Sequence, residues 1–189
     1  MAFTRRTLPH LWSIGRPIFV TWRLAGSLPA GYHFSRDHTQ GRAFALMDRL
    51  LDECRAGPTY LRRPEIADMV VEAIHYGANV LNHYELSAFV VMPNHVHILI
   101  TPRVDLPVVM KSLKSITAKR GNLILGLTGR PFWQPESYDR LVRDSEEFNR
   151  IQRYIENNPV KAGLALSPET YPWSSAFERG TFSKAAGAL

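Results

Sequence analysis

The feature that most constrains the fold is a pair of apolar segments that meet at a Pro-Asn dipeptide. Residues 84–91 and 95–101 are rich in aliphatic side chains, and only a Met-Pro-Asn tripeptide separates them. A connection this short allows two strands to pair only in the antiparallel direction, so the sequence predicts a β-hairpin here. The returning strand of this hairpin begins at His95.

His95 and His97 form a candidate metal-binding pair. Successive side chains of a strand point to opposite faces, so both imidazoles project from one face while Val96 points to the other. Imidazoles at positions i and i+2 can converge on one cation, and aliphatic neighbours hold the backbone beneath them in place. The alternative is that the two histidines fill a half-buried surface and bind no ion.

Hydrophobic periodicity elsewhere predicts an α+β domain in which strands and helices alternate. The first strand is predicted over residues 18–24, where apolar side chains occupy every second position. Apolar residues that recur at intervals of three and four then indicate amphipathic helices. The predicted helices cover residues 44–54, 64–77 and 106–125, and a further strand, interrupted by Pro135, is predicted within residues 132–142.

The C-terminal part of the chain predicts one more helix, followed by a tail. Asp144 is a favourable N-cap, with a glutamate three residues later as in a capping box. We expect the helix to end near Asn158, because Pro159 disfavours helical backbone at the residue before it. From residue 178 onward we expect a mobile tail, and residues 1–16, which show no period, are interpreted as a basic arm.

The composition indicates one domain with a basic surface. The chain has 189 residues, 45% of them hydrophobic, with a net charge of +6 and a pI near 9.7, so a polyanion is a plausible partner. Its single cysteine, Cys54, excludes an intramolecular disulfide and suits a reducing compartment. No signal-peptide run or membrane-length apolar segment occurs, so we expect a cytoplasmic protein without a membrane partner.

The predicted helix over residues 106–125 is a second basic feature, because it contains no acidic residue. Contact with a nucleic-acid backbone and a simple solvated face both explain this charge, and the sequence leaves both open. The cations in question are Lys111, Lys114, Lys119 and Arg120.

The last predicted helix carries a polar stripe beside its apolar face. Arg150, Tyr154 and Asn158 stand at i, i+4 and i+8 and therefore fall on one side. Tyr154 is either a border tyrosine, with its ring in the core and its hydroxyl in water, or a nucleophile with Asn158 as a third metal ligand. Arg150 either contacts a DNA phosphate or pairs with a glutamate at 146 or 147.

The second interpretation of Tyr154 requires a cation. A phenol with a pKa near 10 is a poor nucleophile toward a phosphodiester at neutral pH, so something must favour the phenolate and neutralise the phosphate. A divalent ion can do this by binding a nonbridging oxygen. Two imidazoles and an amide oxygen suit Mg²⁺ or Mn²⁺, and zinc is disfavoured because the only cysteine lies in a core helix pattern.

Four segments, in the same order along the chain, resemble the REP-associated tyrosine transposases, a branch of the single-tyrosine HUH transposases related to the IS200/IS605 insertion-sequence enzymes. They are Val-Val-Met-Pro-Asn-His-Val-His at residues 90–97, Phe-Trp-Gln with Tyr-Asp-Arg at 132–134 and 138–140, Tyr-Ile-Glu-Asn-Asn-Pro-Val-Lys-Ala-Gly-Leu at 154–164, and Tyr-Pro-Trp-Ser-Ser at 171–175. The resemblance implies one IS200-like domain over residues 1–177, with the tail at 178–189.

The resemblance also implies a fold and an activity. The fold would be a ferredoxin-like antiparallel sheet with helices packed on one face and the histidines on an interior strand. His95, His97 and Asn158 would bind the metal, and Tyr154 would be the nucleophile. The substrate would be single-stranded DNA bearing REP or inverted-repeat hairpins, cleaved through a 5′-phosphotyrosine intermediate. Insertion-sequence relatives carry Gln where this chain has Asn158, whereas the REP-associated branch commonly has the Asn-Pro form found here.

Other interpretations remain open. Tyr138 is a competing nucleophile, although no carboxamide lies one turn beyond it as Asn158 does beyond Tyr154. The chain could also be a non-catalytic binder of structured DNA, or an RNA-binding module of the same fold, although no glycine-aromatic signature of such modules is present. A monomer and a homodimer would use the same residues.

Overall fold

The computed structural model describes residues 2–5, 9–29 and 40–186. The chain begins with an antiparallel pair of strands, β1 (Ala2–Arg5) and β2 (Pro9–Trp12), where we expected an arm without regular structure. Strands of four residues are too short to show a convincing alternation in sequence, and they are stabilised here by pairing with each other. The elements that follow, in chain order, are β3 (Ile18–Arg23), α1 (Gln40–Asp52), α2 (Pro64–Asn79), β4 (Tyr84–Val91), β5 (His95–Pro102), α3 (Leu106–Leu125), β6 (Tyr138–Leu141), α4 (Ser145–Lys161) and α5 (Ser175–Ala186).

The main sheet is antiparallel and has the strand order β4-β5-β3-β6. This is the ferredoxin-like order, and it confirms the predicted α+β class and the predicted hairpin. The histidine-bearing strand β5 lies between β4 and β3, so the expected interior position is also confirmed. On β3, Arg23 lies opposite His95 and Thr21 lies opposite His97.

Helices cover both faces of this sheet, whereas we expected them on one face. One core contains Val96, Ile98 and Ile100 of β5 together with the apolar faces of α2 and α3. The opposite core contains Leu99 and is closed by α1 and α4. Side chains alternate along β5, so Val96 points toward α2 and α3 while both histidines point toward α1 and α4.

Helix α4 continues past the proline at which we expected it to stop. It runs to Lys161 with Pro159 inside it, so the predicted end near Asn158 is wrong. A proline one turn from a helix end removes a single hydrogen bond, and the last turn is closed by the bond from the Ala162 amide to the Asn158 carbonyl at 2.9 Å. As a result Lys161 stays on the helix, one turn beyond Asn158.

Helix α5 runs from Ser175 to Ala186 and so includes residues 178–186 of the segment predicted to be a mobile tail, whereas residues 187–189 lie outside the described residues. Just before this helix, the chain covers the outer edge of β4. The Val91 amide donates to the Trp173 carbonyl at 2.9 Å, and the Phe89 amide donates to Ser175 Oγ at 3.2 Å. These bonds use edge groups that would otherwise be unpaired. No helix in the described parts of the chain is long and apolar enough to cross a membrane.

Candidate metal centre

The two histidines are held in place by neighbours on both sides. His95 Nδ1 lies 2.7 Å from Asn94 Oδ1, and the side-chain nitrogen of Asn94, Nδ2, donates to the Leu51 carbonyl of α1 at 3.1 Å. His97 Nδ1 lies 2.7 Å from the hydroxyl of Thr21. With Nδ1 of His95 donating to Asn94, its Nε2 keeps a lone pair, which is the state that binds a metal.

A carboxylate of α1 completes the cluster. The Nε2 atoms of His95 and His97 lie 3.1 Å apart, and Asp48 Oδ1 lies 3.2 Å from His97 Nε2. All three side chains are buried, and their ligand atoms lie within 4.8 Å of one another. A second carboxylate of α1, Asp52, approaches from the side, with Oδ1 at 3.9 Å from His95 Nε2. This group could hold a metal ion.

Buried acceptors without donors support a cation at this place. Oδ1 of Asp48, Oδ1 of Asp52 and Oδ1 of Asn158 are all buried without a hydrogen-bond partner in the described part of the chain. Buried oxygens are nearly always satisfied, and three of them beside two imidazoles match the ligand set of a divalent cation. Burial, helped by the nearby His97, lowers the pKa of His95 well below its ordinary value, which keeps that ring neutral and able to bind.

Helix α4 brings three side chains to this cluster from one stripe. The hydroxyl of Tyr154 donates to Asp48 Oδ2. Asn158 is fully buried, and its amide nitrogen lies 3.3 Å from His97 Nε2. A half-turn of that amide would put its oxygen beside the histidine. Lys161 follows, with Nζ at 2.8 Å from Asp52 Oδ2 and 3.3 Å from Asp48 Oδ2.

Burial and a neighbouring carboxylate keep Tyr154 protonated at neutral pH. Burial is the largest cause, and the negative charge and hydrogen bond of Asp48 add to it, so the pKa of the phenol lies far above its ordinary value. For Lys161, burial opposes the charge, but the hydrogen bond to Asp52 and the two carboxylates raise the pKa of the ammonium. The site therefore contains a neutral phenol and a charged lysine that both contact Oδ2 of Asp48.

The remaining predicted residues lie outside this cluster. Tyr138 lies on β6, which β3 separates from β5, and its ring stacks on Phe44 with centroids 4.3 Å apart. Arg150 lies 3.4 Å from Glu147, and Arg120 pairs with Glu72 at 2.6 Å. On α3, Lys114 donates to the Gln134 and Pro135 carbonyls, and Lys111 and Lys119 are exposed.

Sequence reasoning missed the carboxylates of α1 and Lys161 of α4. Asp48 and Asp52 stand four residues apart, beside the apolar positions Met47 and Leu51; Asp48 is buried, and the side chain of Asp52 is 9% exposed. The sequence did contain a signal for these carboxylates, namely two acidic residues four positions apart beside the apolar face of a predicted helix. Lys161 was missed because the helix was expected to end before it.

Fold and site together define a class of protein. Its members have a ferredoxin-like sheet with an interior His-x-His strand, a buried carboxylate beside the histidines, and a facing helix that presents a tyrosine. The sequence matches the family described as Transposase IS200 like over residues 60–158, which is more than half of the chain. The chain belongs to the IS200-like transposase family, as the sequence motifs indicated.

Several solved structures are similar to this chain. One, a REP-associated tyrosine transposase bound to a REP hairpin, supports the same fold, with 18% identity, a TM-score of 0.55, and coverage of 94% of this chain and 84% of that chain. Another is a candidate transposase from Deinococcus radiodurans R1, with 21% identity, a TM-score of 0.45, and coverage of 78% and 93%. Among curated proteins, none matches the sequence significantly.

Proposed function

We propose that this protein is a metal-dependent endonuclease and strand transferase that acts on single-stranded DNA with REP-type hairpins. The observation that carries the proposal is the contact between Tyr154 and Asp48, because the other oxygen of Asp48 borders His97. A potential nucleophile and a potential metal centre thus share one carboxylate. The IS200-like family and the fold of the hairpin-bound transposase agree with this activity.

The proposed reaction uses the residues in named roles. The oxygen of Tyr154 attacks the scissile phosphorus, the bond from phosphorus to the 3′ oxygen breaks, and a 5′-phosphotyrosine and a 3′-hydroxyl result. The phenolic proton passes along its hydrogen bond to Asp48 and from there to solvent, and the 3′ oxygen takes up a proton from solvent as it leaves. Attack by a 3′-hydroxyl on the phosphotyrosine reverses these steps and joins strands.

The metal is proposed to be Mg²⁺ or Mn²⁺, held by His95, His97 and Asp48 with Asn158 as a further ligand. When bound, such an ion supplies positive charge for the nonbridging phosphate oxygens and for the leaving oxygen. The protein's own task is to orient these ligands, which the contacts of Asn94 and the hydrogen bond of Thr21 to the histidines accomplish.

DNA contacts outside the metal centre are proposed for the cations of α3 and for Arg150. Lys111 and Lys119 are the strongest candidates, since both are exposed, whereas Lys114 and Arg120 are engaged with other parts of the protein. Arg150 lies one turn before Tyr154 and pairs with Glu147, so a DNA phosphate would have to compete with that carboxylate.

The test is a covalent adduct assay. The protein is incubated with Mn²⁺ or Mg²⁺ and a 3′-labelled hairpin oligonucleotide, and the products are separated on a denaturing gel. We expect a labelled protein band with the wild type and with Tyr138→Phe, and none with Tyr154→Phe, because phenylalanine has no attacking oxygen. Tyr138→Phe is the matched control, since it removes a hydroxyl from a buried tyrosine of the core against which the partly buried Tyr154 packs.

The same assay separates the competing interpretations. An undiminished adduct in Tyr154→Phe would contradict the assigned nucleophile, and loss of the adduct in Tyr138→Phe alone would transfer that role to Tyr138. Hairpin binding without any adduct, under either metal, would instead favour a non-catalytic DNA-binding protein of the same fold.

A further inference from the structure

Lys161 lies where the solvent meets the buried carboxylates. Its side chain is 53% exposed, whereas those of Asp48 and Asp52 are 3% and 9% exposed. Its Nζ is 5.8 Å from the centroid of the Tyr154 ring. The ammonium therefore lies at the entrance to the cluster, beside the hydroxyl proposed to attack DNA.

The carboxylates around Lys161 outnumber its positive charge. Asp48 and Asp52 present two carboxylates to the single ammonium of Lys161, so the summed charge of these three side chains is negative. A divalent cation would change this local charge from negative to positive, and one phosphodiester would then bring it to zero. Buried or half-buried charges are stable only when they are compensated, so the cluster is built for one divalent cation and one phosphate together.

The donors of Lys161 fit such an exchange. An ammonium has three hydrogens, and two of them are directed to Asp52 at 2.8 Å and to Asp48 at 3.3 Å. The contact with Asp48 is the longer one and is made to Oδ2, whereas Oδ1 of the same carboxylate borders His97. The shorter contact with Asp52 would hold the lysine in place while Asp48 is occupied by a metal.

We propose that Lys161 is a resident cation of this site, which competes with the divalent metal for Asp48 and, once the metal is bound, contacts the scissile phosphate. This inference rests on the proposed function for the identity of the phosphate. It gives Lys161 a role in substrate binding that neither the motifs nor the predicted end of α4 suggested. It also predicts effects of opposite sign on the binding of metal and of DNA.

The test compares Lys161→Met with the unchanged protein, both carrying Tyr154→Phe so that no cleavage occurs. Mn²⁺ affinity is measured by electron paramagnetic resonance, and hairpin affinity by fluorescence anisotropy in the presence of Mn²⁺ over a range of salt. We expect Mn²⁺ to bind about fivefold more tightly and the hairpin about fivefold more weakly, as for loss of one partly exposed charge. The salt slope of hairpin binding should fall by about 0.7, the value for one phosphate contact on a single strand.

Two further variants separate this role from a structural one. Lys161→Arg keeps the charge and should leave both affinities close to those of the unchanged protein. Arg103→Met removes the same charge beyond the far end of β5 from His95 and should change neither. If Lys161→Met weakens the binding of both metal and DNA, the lysine only stabilises the fold, and the proposal is wrong. Unchanged affinity for either ligand would also overturn it.

The measured affinities for Mn²⁺ and for the hairpin do not depend on whether the protein cleaves DNA. If the wild-type protein forms no covalent adduct but the two affinities shift in opposite directions, the proposed function fails while Lys161 remains the shared cation. If the adduct forms and the affinities do not shift as expected, only the role of Lys161 is rejected.

Discussion

At the scale of single residues, Asp48 joins the two halves of the site. One of its oxygens accepts the hydrogen bond of Tyr154, and the other faces His97 without a hydrogen-bond partner in the described part of the chain. Positive charge held at the second oxygen would offset the negative charge of Asp48, which is one of the causes that raise the pKa of Tyr154, and would thereby favour the phenolate.

We predict that Asp48→Asn binds Mn²⁺ at least about tenfold more weakly, because an amide oxygen is a poorer ligand than a carboxylate and because metal sites lose about this much when their supporting groups change. The amide can still accept from Tyr154, so the fold should persist. Isothermal titration with Mn²⁺ gives the affinity. Glu53→Gln, which makes the same change just after the end of α1 in a side chain that pairs with Arg49, serves as the control. Equal affinity of Asp48→Asn and wild type would exclude Asp48 as a ligand.

At the scale of elements, helices α3 and α4 carry different groups on opposite faces of the sheet. Helix α4 carries the polar stripe, and because this helix continues through Pro159, Lys161 also lies in the site. Helix α3 lies on the opposite face of the sheet and contributes exposed positive charge. DNA held at the metal centre could therefore touch α3 only by wrapping around an edge of the sheet.

We predict that replacing exposed cations of these helices changes the salt dependence of hairpin binding. The double variant Lys111→Ala with Lys119→Ala should lower the slope of log affinity against log salt by about 1.4 if both touch single-stranded DNA, and Arg150→Ala should lower it by about 0.7. Anisotropy titrations at several salt concentrations measure these slopes. Wild-type slopes in all of these variants would mean that the positive charges serve only solubility.

At the scale of the whole molecule, α5 closes the fold against α2 and the edge of β4. His75 of α2 and Glu178 of α5 form an ion pair with Nε2 and Oε1 2.7 Å apart. The hydrogen bond to Glu178 raises the pKa of His75 above its ordinary value, and partial burial only partly offsets this. A raised pKa means that the pair stabilises the fold below about pH 6.5 and that this stabilisation is lost as the pH rises through the folded-state pKa.

We predict that His75→Gln lowers the melting temperature by about 1–2 °C near pH 5.5, as expected for a partly exposed ion pair of this kind, and has no effect near pH 9. Thermal unfolding followed by circular dichroism at both pH values measures the difference. Glu178→Gln, which removes the other partner of the ion pair, should show the same loss near pH 5.5. A larger loss at pH 9 than at pH 5.5 would contradict the assignment.

Local patterns in the sequence determined much of this protein. The hairpin of β4 and β5, the shared face of His95 and His97, and the stripe of Tyr154 and Asn158 follow from strand and helix periods, which depend only on neighbouring residues. The family follows from the same short segments. Each of these features is set within one element or two adjacent elements of the chain, so no knowledge of packing is needed to predict it.

The tertiary structure alone decided which other groups meet these residues. Asp48 is separated from Tyr154 by 106 positions and from Lys161 by 113, and no periodicity relates residues that far apart. They meet because α1 and α4 both pack on the face of the sheet that carries the histidines, whereas α2 and α3 take the other. Which helix packs on which face depends on how all four helices bury their apolar faces at once. As a result, carboxylates, a tyrosine and a lysine surround the two histidines.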